Sequence, residues 1–397
     1  MSVTLPDGFV WGVAGAAHQI EGGNWNNDWW AFEHTPDSGC VDVSGDACDS
    51  LHRYPDDIAL AAGLGFDTYR FSLEWSRIEP EDGEFSRAAL DHYRRMLATC
   101  HELGIAPVAT FHHFTTPRWM ADRGDWAEPA VVDKFTRFCE RSVAHFGDLI
   151  AMACTINEPN IVSLMGYLTG RFAPGRRDFA LYGKVNEHLR DAHRRSYEAL
   201  KAGPGDFPVG LTLSMSDWYT PEGGEEGLER ARAMHEDFFL TPTRGDDYIG
   251  VQAYTRTRIG LDGLPMDPDP DGPTVESMGY EYWPQSLEAA IRHAIDVTGN
   301  PVYVTENGIG VDDDAVRIKF VTEALAGLGR CLADGLDVRG YTYWSLLDNF
   351  EWAEGYKPRF GLVSVDRDTF ERTPKPSAAW LGALARANEL PESAVGA

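Results

Sequence analysis

Residues 152–159 read MACTINEP, and residues 301–308 read PVYVTENG. Each is a short apolar run that reaches a threonine, places an amide beside a carboxylate, and is stopped by Pro159 or Gly308. A run apolar on both faces reads as a strand buried on both sides, the habit of parallel sheets. Six further runs share the pattern. With these two they give eight expected strands: Phe9–Ala14, Thr68–Trp75, Ala106–His113, Met152–Asn157, Val209–Met215, Tyr248–Tyr254, Val302–Glu306 and Val338–Trp344.

Helical periodicity fills most of the gaps. Ser86–Leu103 carries one apolar stripe opposite charges and stops at Gly104. Pro129–Phe146, Val185–Leu200, Trp283–Thr298 and Ala315–Asp334 follow the same design. Eight strands alternating with helices point to one closed (β/α)8 TIM barrel, with carboxylates at the ends of strands 4 and 7. A doubly wound sheet is the competing architecture, but the G-V-A-G of residues 12–15 lacks the third glycine of a phosphate turn. No linker or repeat divides the 397 residues, so residues 1–397 read as a single catalytic domain. The Pro/Gly-rich stretch 261–273 is too short to separate domains and reads as a surface loop.

Against 35 basic side chains stand 62 acidic ones, a net charge of −27. Such a surface repels nucleic acid and anionic membranes. The N-terminus lacks a leader pattern and no run reaches membrane-spanning length, so a cytoplasmic protein is expected. The six cysteines are scattered without a C-x-x-C pair and read as free thiols; only Cys40 and Cys48 share a loop in which oxidation would bridge them. His112 and His113 are adjacent, so on a strand they face opposite ways and cannot share an ion. No metal and no cofactor is expected.

In a barrel the C-terminal strand ends converge on one face, where chemistry is done. The expected strands end in Arg70 with Glu74, His113, Asn157–Glu158, Tyr254, Glu306–Asn307 and Trp344. A single strand-end glutamate is more often a helix cap or an ion-pair partner. Two matching ones, on strands facing each other across the mouth, are the minimal apparatus for cleaving a glycosidic bond. The aromatic segment 341–356, YTYWSLLDNFEWAEGY, adds indole faces for pyranose C–H surfaces and acceptors for hydroxyls; a Trp-rich core plug is the plainer reading of that segment alone.

FVWGVAGAAHQIEGG, TYRFSLEWSRIEP, TINEP, YVTENG and GYTYWSLLDNFEWAEGYKPRFGL together resemble the motifs of glycoside hydrolase family 1, the retaining β-glucosidase family, from about Phe9 to Trp380. The resemblance implies that Glu158 is the general acid/base and Glu306 the nucleophile of a retaining exo-β-glycosidase. It implies that Asn157 holds the sugar 2-hydroxyl, that Arg70 keeps Glu306 ionised, and that Tyr254 touches the nucleophile. Gln19, His113, Glu351 and Trp352 match positions that bind the 3-, 4- and 6-hydroxyls, and Trp344 matches the stacking platform. Glu158 stands where thioglucoside-cleaving relatives carry Gln. Glu351 stands where relatives acting on 6-phosphorylated sugars carry serine near a lysine, and Lys357 alone does not reverse its repulsion of a phosphate. The implied substrate is a small unphosphorylated β-glycoside, a glucoside with galactosides and fucosides open; homo-oligomerisation is left open too.

Two segments depart from the family pattern. His-Trp-Asp appears as His113-Phe114-Thr115, and Asn-Tyr-Tyr as Gln252-Ala253-Tyr254, so the amide near the nucleophile is one methylene longer. The segment between TINEP and Tyr254 is shorter than usual, from which a wider aglycone entrance is expected.

Overall fold

The computed structural model describes residues 3–391. Eight parallel strands close into a barrel: β1 Val10–Ala14, β2 Thr68–Ser72, β3 Ala106–His112, β4 Met152–Asn157, β5 Val209–Tyr219, β6 Tyr248–Arg258, β7 Val302–Asn307 and β8 Val338–Tyr343. Each pairs with its sequence neighbours, and β8 pairs with β1 to close the ring. One principal helix follows each strand: α1 Ser50–Leu64, α2 Arg87–Glu102, α3 Val131–Phe146, α4 Phe179–Ala202, α5 Glu225–Arg232, α6 Ser286–Thr298, α7 Asp314–Ala333 and α8 Pro376–Ala387. Their apolar stripes pack on the strands in one continuous buried cluster. The TIM barrel read from the alternating pattern is the fold observed.

Local chemistry sets several helix starts. Ser86 accepts a hydrogen bond from the Ala89 N–H at the start of α2, and Asp178 accepts from Ala180 and Leu181 at the start of α4; each satisfies an otherwise orphaned donor. Gly65, at φ +107°, ends α1, and a Cβ there would meet Arg386 and the Gly382 carbonyl, so α1 and α8 can approach only with glycine at this position. Inside the ring, Gly250 serves the same end: a Cβ would lie 2.5 Å from Thr212 and 2.8 Å from Thr305.

The expected boundaries shift where local interactions end a strand early or carry it on. The second strand ends at Ser72 rather than Trp75, because Glu74 caps the short helix Trp75–Ile78 with its own carboxylate. β5 and β6 run on past the mouth to Tyr219 and Arg258, pairing Asp217 with Arg256, Trp218 with Thr257 and Tyr219 with Arg258. α4 begins six residues before the expected Val185, and the amphipathic reading passed over α1, α5 and α8. The stretch 261–273 is a surface loop in which Leu261 and Leu264 are exposed. All six cysteines are free thiols; Cys48 is buried, its Sγ donating to the Asp348 carbonyl.

Candidate active site

On a regular strand Asn157 and Glu158 would face opposite ways. They do not, because Glu158 adopts the left-handed conformation, φ +44° and ψ +61°, as the residue before the helix Pro159–Ser163. Its N–H still bonds the Thr212 carbonyl of β5 at 2.9 Å. A carboxylic side chain in that region is uncommon and costs about 1–3 kcal/mol, a strain concentrated at functional sites. The turn brings both side chains to one cavity. Phe114, at φ +70°, does the same beside His113.

That cavity, of about 310 Å³, sits at the C-terminal end of the barrel and is lined by His113, Asn157, Glu158, Tyr254, Glu306, Trp344, Glu351 and Trp352, among others. Eight of the ten residues selected from sequence therefore share one pocket wall. Arg70 and Gln19 stand directly behind it. Arg70 Nη1 donates to Glu306 Oε1 at 2.5 Å and Nη2 to Asn157 Oδ1 at 2.5 Å. Gln19 Nε2 donates to Asn349 Oδ1, the Phe350 carbonyl and Glu351 Oε2 at 3.1, 2.8 and 3.3 Å. Glu74 is not in the pocket: it is held by Asn24, Ser76 and Thr115. Asn307 also turns away, accepting from Tyr341 and donating to the Ala253 carbonyl.

Glu306 is gripped from two sides. Arg70 takes one oxygen, and the Tyr254 hydroxyl donates to the other at 2.5 Å. Burial pushes the Glu306 pKa up, while Arg70 and Tyr254 pull it down. The Glu158 pKa lies well above the usual range, first through burial and then through the charge of Glu306, against a weaker pull from Arg70. Two buried carboxyls with unequal neighbours are thereby biased to opposite protonation states. Glu351 is pushed up to about 8 by burial and by Glu306, opposed by hydrogen bonds from Gln19 and Trp344.

Asn157 Oδ1 accepts from Arg70, Thr212 and Gln252 together, the last at 2.9 Å. The longer Gln252 thus reaches across to Asn157 and fixes the amide with its nitrogen toward His113 Nε2, 3.2 Å away. Burial and Arg70 hold His113 neutral, so one ring nitrogen donates and the other accepts. Gln19 Oε1, His113 Nδ1 and the Tyr280 hydroxyl are buried without a protein partner. Such atoms call for hydrogen-bonding groups from a ligand. His113 lies nearly parallel to both Trp344 and Trp352, at 5.7 and 6.0 Å between centroids.

Sequence reasoning missed the outer wall. Ile161, Met165, Phe172, Met215, Met278, Tyr280 and Phe360 line it, together with Ser214 and Ser216. Ser216 N–H and Trp218 Nε1 both donate to Oε1 of Glu236, a buried carboxyl pushed up to about 8 by desolvation. Residues from the β4–α4 and β6–α6 loops carry no strand-end signal; Glu236, set in a charged helical run, had none either. Among the described residues no cluster of three or more His, Cys, Asp or Glu is arranged to hold a metal.

The family model for glycosyl hydrolase family 1 matches residues 1–261 and 255–390. The chain belongs to that family. Beta-glucosidase A of Thermotoga maritima is 32% identical over 97% of this chain and 98% of its own length. Thermostable beta-glucosidase B of Thermobispora bispora is 34% identical, covering 98% and 92% respectively. The solved beta-glycosidase from Pyrococcus horikoshii superposes with a TM-score of 0.93 at 34% identity, over 100% of this chain and 98% of its own. The resemblance read from five motifs is thus a family relationship along the chain. No helix among the described residues is long and apolar enough to cross a membrane.

Proposed function

We propose that this family 1 member is a retaining exo-β-glycosidase that removes terminal unphosphorylated β-D-glucosyl units, with galactosides and fucosides left open. The observation that carries the reading is the pair Glu158 and Glu306 in one buried cavity, with Arg70 and Tyr254 hydrogen-bonded to Glu306 and not to Glu158. The curated relatives named beta-glucosidase support the sugar.

In the first step an oxygen of ionised Glu306 attacks the anomeric carbon while the glycosidic C–O bond breaks. Protonated Glu158 gives its proton to the departing oxygen. Glu306 is then an uncharged ester, so its charge no longer raises the Glu158 pKa. Glu158, now a carboxylate, takes a proton from water, which attacks the same carbon and frees Glu306. Asn157 Nδ2 faces the 2-hydroxyl, a contact that strengthens in the transition state. Gln19, His113, Trp352 and Glu351 hold the remaining hydroxyls, and Trp344 carries the ring face. Buried, hydrogen-bonded Glu351 leaves no counterion for a 6-phosphate.

The same reading takes residues 1–397 as one catalytic domain, and the free thiols support a cytoplasmic location. Hydrolysis of nitrophenyl β-D-glucoside followed by NMR tests the proposal. The first-formed product is expected to be β-glucose; α-glucose as the first product would sink the retaining assignment.

A further inference from the structure

The catalytic cavity is not the largest hollow in the molecule. A cavity of about 470 Å³ lies between the β1–α1 loop, the β2–α2 loop and helix α2, lined by Asn24, Trp25, Asn26, Arg77, His92 and Tyr93 among others. The proposed catalytic chemistry uses none of these lining residues.

Three features give this hollow a ligand chemistry. Trp25 is 64% exposed, so its indole offers an apolar face that the fold leaves uncovered, the surface on which pyranose C–H faces stack. His92 Nε2 is shielded from solvent yet has no hydrogen-bond partner. Burial and the neighbouring Arg95, Arg77 and His52 push the His92 pKa down to about 4, so the ring is neutral and offers one donor and one acceptor, as a sugar hydroxyl requires. Arg77, the cation in the wall, is already committed to Glu21 and the Gly22 carbonyl at 2.7 and 2.6 Å. Its charge is matched within the protein, and no carboxylate lines the hollow. An aromatic platform, neutral hydroxyl partners and room for more than one ring are properties suited to an uncharged carbohydrate.

The hollow also backs onto the catalytic cavity. Asn24 donates to His18 Nδ1 at 3.1 Å, and His18 lies nearly parallel to Trp352 at 5.8 Å, with an interplanar angle of 11°. One side chain, His18, therefore joins a wall residue of each cavity.

We propose that this hollow is a second, non-catalytic binding site for β-linked glucosyl chains, with Trp25 as its stacking platform and His92 as its hydroxyl partner. It rests on the same choice of sugar as the catalytic reading, but not on Glu158 or Glu306.

Thio-linked cellotetraose, which glycosidases do not cleave, is the probe. Calorimetric titration of the wild-type chain is expected to show two sites per molecule. Trp25→Ala should weaken one of them at least tenfold, about 1.4 kcal/mol, and leave kcat/KM for nitrophenyl β-D-glucoside within twofold of wild type. His92→Phe, which keeps the ring but loses both nitrogens, should weaken the same site. A single site in wild type, or two sites indifferent to Trp25→Ala, would overturn the proposal. Loss of β-glucoside hydrolysis by the wild type belongs to the catalytic reading and leaves this titration legible.

Discussion

Arg70 and Glu306 meet at 2.5 Å with their side chains 1% and 5% exposed, and the same guanidinium reaches Asn157 from its other arm. One buried cation therefore sets both the charge of the proposed nucleophile and the aim of the amide beside the proposed acid. Arg70 also borders a hollow of about 210 Å³ inside the barrel, lined by Thr68, Val108 and Thr342 among others, yet its own side chain stays buried. Removing one partner of such a pair leaves an uncompensated buried charge, which costs roughly 3–5 kcal/mol. Arg70→Met should lower kcat/KM by at least about 10²-fold, an effect near 3 kcal/mol. The sign of the pH effect follows from the forces on Glu306: burial raises its pKa and Arg70 lowers it. Without Arg70 the pKa rises further, so the acid limb of kcat/KM should move to higher pH. An unmoved limb would separate Arg70 from the ionisation of Glu306.

Glu158 and Glu306 are coupled through their charges, and the coupling is measurable without turnover. Glu306 is the second cause of the raised Glu158 pKa, after burial. Glu306→Gln removes the charge and should lower the Glu158 pKa, read by carboxyl carbon NMR on Glu-labelled protein. Glu158→Ala should in turn lower kcat/KM, which reports the first step, by about 10²–10⁴-fold for unactivated alkyl glucosides and far less for nitrophenyl glucosides, whose leaving groups need no proton. Equal losses on both substrate kinds would remove Glu158 from the acid role.

How much of this was legible beforehand divides by mechanism. Period and composition carried the eight strands because parallel strands are buried on both faces, and strand-end polarity carried Asn157, Glu158, His113 and Glu306 because a barrel gathers its C-terminal ends. Family resemblance then supplied the roles. Glu74 looked like a pocket residue from its position and proved to be a helix cap, a competition that only the local turn decides. The extensions of β5 and β6 were missed since Asp217–Tyr219 and Arg256–Arg258 pair mainly with each other and read as polar loop. Tyr280 and the apolar outer wall come from loops whose path depends on tertiary packing. Gln252 was seen as a departure beside the nucleophile; its longer side chain reaches Asn157.

Glu351 should act as the gate against phosphorylated sugars. Its carboxyl lies in the catalytic cavity and its pKa is pushed up to about 8, so below that pH it is a hydrogen-bonding acid and above it a charge. The ionised form repels a phosphate dianion, and neither form supplies a positive charge to balance one. Wild type should give no measurable turnover of nitrophenyl 6-phospho-β-glucoside, whereas Glu351→Ser should gain it and lose about tenfold or more on the unphosphorylated substrate, in keeping with the loss of a charged or buried hydrogen bond. Wild-type turnover of the phosphorylated substrate would remove Glu351 from that role.

Glu236 should make the fold itself sensitive to pH. It is fully buried, accepts from Ser216 and Trp218 through one oxygen, and leaves the other without a partner; His293 lies 3.9 Å away. Burial raises its pKa from 4.5 to about 8, a shift opposed by Trp218 and Ser216 and assisted by Asp237. A carboxyl whose folded pKa exceeds its unfolded one binds more protons when folded. Its contribution to stability is therefore complete below about pH 4.5 and declines as the pH rises through 8, with a ceiling on the order of 4–5 kcal/mol. Glu236→Gln retains the acceptor oxygen for Ser216 and Trp218 but cannot ionise. In urea unfolding at pH 5, 7 and 9, the stability of wild type relative to Glu236→Gln should fall steadily with pH, by a few kcal/mol overall. A constant difference across the three pH values would show that this carboxyl does not titrate differently on folding, and that its place beside Ser216 is structural alone.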